Sequence, residues 1–104
     1  TNAEVITLTA NTAWIKKGDV LCFKIAGRYF FQFIEVEFSK ASTNTDFKST
    51  LFWTLSKSVV YEKVFLLYPI DGGQPIRLLC SGNKIYGHYS GTYLNMDYFG
   101  LLVM

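Results

Sequence analysis

The sequence predicts an all-β sandwich or barrel of about eight short antiparallel strands. Three observations carry this. Short apolar runs alternate with a period of two. Clusters of turn-forming residues separate those runs at regular spacing. Aromatic residues, which suit pleated and half-buried surfaces, are abundant, with nine Phe, seven Tyr and two Trp.

Residues 4–8 read as the first strand, followed by turn chemistry at Asn11 and Thr12. Residues 16–19 read as a break, with Gly18-Asp19 its clearest part. Residues 20–25 form a strand that places Leu21, Phe23 and Ile25 on one face. Arg28–Phe38 is the longest strand. Tyr29, Phe31 and Phe33 share one face there, and the pattern then shifts to Ile34, Val36 and Phe38. One extra residue produces such a shift, which predicts a β-bulge near Phe33-Ile34 or a corner where the strand changes sheets.

Residues 39–49 read as a long polar loop, a length usually tied to function or mobility. Leu51, Trp53 and Leu55 alternate as the next strand, and residues 59–68 are almost continuously apolar up to Pro69. A helix across 51–68 is the alternative, since short apolar runs are ambiguous by period alone. Asp71-Gly72-Gly73 is a turn, residues 75–80 a strand, and Ser81-Gly82-Asn83 a hairpin turn leading into residues 84–89. After a break at Ser90-Gly91, residues 93–96 and 98–104 close the fold.

The 104 residues fit one domain spanning 1–104, long enough to bury about two-thirds of its unfolded surface. Half the residues are apolar and 17% are charged, a balance that excludes disorder. Such a composition also fits a surface partly buried against another copy of the chain. The net charge is +2, and no basic cluster exceeds Lys16-Lys17, so no nucleic-acid stripe is present. No apolar run is long enough for membrane insertion, and no signal or lipidation motif appears. Cys22 and Cys80 each lie in an apolar run and read as buried free thiols, with a disulfide as the alternative. The chain starts at Thr1 and ends at Met104 inside an apolar run, which reads as the C-terminal piece of a longer protein.

Catalytic chemistry finds little support. The one histidine, His88, has no carboxylate or nucleophile that sequence alone places beside it, and no GxSxG elbow exists. Glu35 and Glu37 on one strand face would stand about 6.5–7 Å apart, a spacing used by inverting glycosidases. Any Glu-x-Glu on a strand gives that spacing, and nothing separates the two pKa values. No HExxH, CxxC, calcium loop or phosphate loop is present, so no metal and no cofactor are expected. The expectation is a binding domain rather than an enzyme.

The positive signal is a set of aromatic and polar side chains near turns: Tyr86, His88, Tyr89, Tyr93, Asn95 and Asp97. Aromatic faces stack on sugar rings, while carboxylate, amide and imidazole groups bind hydroxyls. The same mixture fits a packed core or a subunit seam, because large aromatics bury well and their polar tips still find partners. Trp53, Arg77, Tyr86, His88, Tyr93 and Asp97 form the pool from which a ligand site is expected. Tyr98 and Phe99 are expected at a subunit contact.

Residues 51–90, with the short apolar strand Leu51-Phe52-Trp53-Thr54-Leu55 and the strand–turn–strand stretch 75–86, resemble the C-terminal head domains of phage receptor-binding and tail-fibre proteins. Gly18-Asp19-Val20-Leu21 and the terminal aromatic strand fit the same outline. The resemblance implies a jelly-roll-like β-sandwich, a homotrimer, a place at the phage tail tip or baseplate outside the cell, and recognition of saccharide on the host cell wall. Two departures stand against it. Residues 56–61 replace a proline-rich segment, and in residues 76–79 only Arg77 is polar. Gly27-Arg28-Tyr29-Phe30-Phe31 and Tyr98-Phe99-Gly100-Leu101-Leu102 also look like segments of tumour-necrosis-factor-like trimers. That resemblance implies a receptor-binding jelly-roll trimer. A domain that only trimerises or caps a fibre is the third expectation.

Overall fold

Tight turns and strand bulges set the architecture. The computed structural model describes residues 2–39, 48, 50–59, 61–88 and 96–104, with residue 88 described by its backbone alone. Among these residues the secondary structure is all β, in nine strands: β1 (Glu4–Ile6), β2 (Leu8–Ala10), β3 (Ile15–Ile25), β4 (Arg28–Phe38), β5 (Thr50–Leu55), β6 (Lys63–Pro69), β7 (Ile76–Ser81), β8 (Lys84–His88) and β9 (Tyr98–Val103). Every pairing is antiparallel. The stretch 51–68, where a helix was the alternative, holds β5 and most of β6.

The strands follow the order β1-β3-β4-β9-β6-β7-β8-β5-β2. The first and last of these are neighbours in sequence, separated only by Thr7. Glu4 to Ile6 pair with β3, and Leu8 to Ala10 pair with β5. One extended N-terminal stretch therefore joins both edges and nearly closes the sheet, which shortens the exposed edges that invite aggregation. Thr7 holds this corner: its carbonyl accepts from the Ser56 amide at 2.9 Å, and its own amide donates to the Ser56 hydroxyl at 3.1 Å. β6 makes the second corner. Its residues 63–67 pair with β7, while Tyr68 and Pro69 pair with β9. The result is two faces of one folded-over sheet, with β1, β3, β4 and β9 on one side and β6, β7, β8, β5 and β2 on the other. Strands β5 to β8 form a Greek key, since β5 lies beside β8 at the end of the β6–β7–β8 meander.

The expected bulge in β4 is present. Phe33 pairs with Gly100 and Val36 with Tyr98, so β4 takes three steps where β9 takes two. The same excess appears against β3, where Ile34 faces Asp19 and Glu37 faces Lys17. Glu35 absorbs the extra residue at φ 51°. The shift in parity keeps Tyr29, Phe31 and Phe33 before the bulge, and Val36 and Phe38 after it, all in the core.

The break expected at residues 16–19 is not a chain reversal. β3 runs through it, because Gly18 takes a φ of 132° directly opposite the bulge and pairing resumes beyond. A Cβ at Gly18 would lie 2.6 Å from the Val36 Cα, so the close approach of the two backbones requires glycine.

Aromatic rings fill the interior. The Phe33 ring centroid is 5.3 Å from those of Trp53 and Phe65, and Phe38 is 5.1 Å from Phe52 and 5.4 Å from Tyr98. Such pairs are worth about 0.5–1.5 kcal/mol each beyond their buried area. Cys22 and Cys80 are buried free thiols among them.

Candidate functional site

The six residues expected to supply a ligand site fall in different places. Trp53 is 2% exposed and packs in the core against Phe33, which corrects its placement in a surface site: a ring enclosed there cannot reach a surface ligand. The expected shared face of Leu51, Trp53 and Leu55 is broken by an irregularity at Phe52, which leaves Leu51 half-buried opposite Tyr86 and turns Trp53 and Leu55 into the core. Asp97 precedes β9 at the end of the first side of the sheet, where its carboxylate pairs with the Lys17 ammonium at 3.1 Å. That hydrogen bond holds the Lys17 pKa above its ordinary value. Tyr93 lies outside the described residues, as do Tyr89, Asn95 and residues 93–95 of the strand expected over 93–96, whose last residue, Met96, is described outside any strand. Most of the polar loop expected over 39–49 also lies outside them, with Ser39 and Lys48 described.

Arg77, Tyr86 and His88 come together. Arg77 of β7 stands opposite His88 of β8 in the ladder, and Tyr86 is two positions earlier on β8. The alternation explains the placement. Ile76, Leu78 and Cys80 are buried inward on β7, and Ile85 and Gly87 on β8, so Arg77 and Tyr86 take the opposite parity. Arg77 is exposed and Tyr86 half-buried on the outer face. Leu51 faces Tyr86 from β5 and Leu66 faces Arg77 from β6, so the cation and the phenol sit among half-buried aliphatic side chains. A guanidinium and a ring with a polar tip are chemistry suited to a hydroxyl-rich ligand.

The two glutamates considered as an acid/base pair differ sharply in setting. Glu37 is 8% exposed and its carboxylate pairs with Lys16 at 2.9 Å. Glu35 is exposed at the bulge, in a left-handed backbone conformation that the strand pattern did not foresee. Among the described residues no group of three or more His, Cys, Asp or Glu is placed to hold a metal ion. No helix among them is long and apolar enough to cross a membrane.

A second surface stands out on the other side. The outer face of β1, β3, β4 and β9 carries the cross-strand row Val5–Phe23–Phe30–Val103 and, beside it, Leu21–Gln32–Leu101. Leu101 is 72% exposed and Val5 64%. A groove of about 260 Å³ runs between Leu21, Phe23, Phe30, Gln32, Leu101 and Val103. The signal in the sequence is that residues 20–23 of β3 and most of β9 are apolar at both parities, as strands covered on both faces are. Tyr98, expected at a subunit contact, is fully buried within its own chain, whereas Phe99 is partly exposed and pairs with Tyr68. No protein-family model matches the chain, and no curated protein and no solved structure is significantly similar to it.

Proposed function

We propose that this chain is a recognition domain, the head of an adhesion device of the phage tail-tip kind, and that it takes cell-surface saccharide on the outer face formed by β7 and β8. The observation that supports this reading is the juxtaposition of Arg77, Tyr86 and the backbone position of His88 across one strand pair. The phenol ring offers a face for a sugar's C–H surface, and the guanidinium offers donors to its hydroxyls. Single saccharide sites are individually weak, and presentation in several copies raises the avidity.

The test is decoration of bacterial cells by the labelled domain, with extracted wall polysaccharide as competitor. Binding that the polysaccharide displaces, and that Arg77→Ala and Tyr86→Ala each weaken about tenfold, is the expected result. That loss corresponds to about 1.4 kcal/mol. Binding unchanged in both variants, or no binding to any cells or polysaccharide, contradicts the reading.

A further inference from the structure

We propose that the apolar outer face of β1, β3, β4 and β9 is where a second copy of this chain docks, turned end for end about a two-fold axis that runs across the strands. Large apolar patches on a soluble surface mark interaction sites. Here the rows Val5–Phe23–Phe30–Val103 and Leu21–Gln32–Leu101 lie side by side with no charge inside them.

The charges at the two ends of this face select the occupant. Arg28 lies one row beyond Phe30, opposite Ile25 at the hairpin end. Asp19 lies one row beyond Leu21, opposite Ile34 at the bulge end. Both are exposed, and neither is in an ion pair among the described residues. The face is thus positive at one end, apolar in the middle and negative at the other end. A two-fold axis across the strands lays each end on its opposite. It places the Leu21–Gln32–Leu101 row of one copy over the Phe23–Phe30–Val103 row of the other. Arg28 of each copy then falls on the Asp19 end of its mate. Rows are about 7 Å apart along the strands and packed sheets about 10 Å apart, so the long arginine side chain spans the gap. Such an interface is isologous and closes on itself, as most two-copy assemblies do. It uses a different face from the saccharide reading, so either face can fail alone, but a two-fold pair stands in place of the three-fold head that the phage resemblance implies.

The decisive experiment is sedimentation velocity on the intact domain, with circular dichroism to confirm folding of each variant. The wild type is expected at the mass of two copies. Leu101→Lys, at the most exposed apolar position of the face, is expected at the mass of one. Arg28→Asp and Asp19→Arg place like charges at both contacts, and each is expected to weaken self-association at least tenfold. Mixed in equal amounts, these two variants restore opposite charges at both contacts, so the mixture is expected to regain the two-copy mass. A wild type that sediments as one copy overturns the proposal. So does a mass of three copies, which instead favours the three-fold head that the phage resemblance implies. Failure of the mixture to recover, with both variants folded, overturns the end-for-end arrangement.

Discussion

At Gly87 a missing side chain decides the packing of the core. A Cβ there would lie 2.0 Å from Cε2 and 2.3 Å from Cζ of the Phe52 ring. Phe52 is fully buried, with Phe38 and Trp53 on its flanks, and has no room to retreat. Gly87→Ala is expected to lower stability by about 2–3 kcal/mol, read as a shift in the urea midpoint; an unchanged midpoint would contradict this packing. The thiols give a second residue-scale prediction. Burial pushes Cys22 up to about 11 and Cys80 up to about 12, with Cys22 also raising Cys80. Since the thiolate is the reactive form, both are expected to resist Ellman's reagent at pH 8 in the folded protein and to react once it is unfolded. A raised folded-state value means that stability from the neutral thiols is fully present below the ordinary value of 9. That stability is lost as the pH rises from there through 11 and 12. Rapid labelling of the native protein at pH 8 would contradict their burial.

At the scale of elements, the turns were legible and the bulges only partly so. Gly82-Asn83 joins β7 to β8 with glycine at the first central position at φ 60°, as its sequence announces. The bulge of β4 was legible because apolar parity changes within one strand. The break at Gly18 was misread because a glycine that serves a close backbone approach and one that serves a turn look alike in sequence. The β5 irregularity left no local signal. Leu51 pairs with Tyr86 and Trp53 with Ile85, so Phe52 occupies the extra position and turns inward beside Trp53. Its enabling glycine lies on another strand, far away in sequence. The β3–β4 hairpin carries the clearest element-scale prediction. Its two-residue turn holds Ala26 at φ 51° and Gly27 at φ 77°, the pattern of a type I′ turn, which favours Asn over Ala at its first position. Ala26→Asn is expected to stabilise the protein by about 1 kcal/mol, raising the thermal midpoint by several degrees. A lowered midpoint would contradict the turn assignment.

At the scale of the whole molecule, the N-terminal stretch and β6 turn one antiparallel sheet back on itself, and the two outer faces then differ in character. The all-β class followed from composition and period. The closure did not, because pairing Glu4 to Ile6 with one sheet edge and Leu8 to Ala10 with the other is a long-range choice that no local pattern encodes. The ligand pool divided for a related reason. Arg77 and Tyr86 share a face because two adjacent hairpin strands hold them, and a hairpin is local. Trp53 and Asp97 were grouped with them only by residue type, and the fold sends one to the core and the other to a pair with Lys17. The β7–β8 face, with an arginine and a tyrosine among aliphatic neighbours, is read as the recognition surface. The apolar face opposite is read as the contact with a second copy.

The most direct measurement is a backbone-amide NMR titration of the isotopically labelled domain with soluble fragments of bacterial wall polysaccharide. The recognition reading predicts chemical-shift changes concentrated at Arg77, Tyr86 and their cross-strand neighbours Leu51 and Leu66, while Leu21, Phe30 and Leu101 stay still. Shifts confined to Leu21, Phe30 and Leu101, or no shifts at saturating fragment, would contradict it.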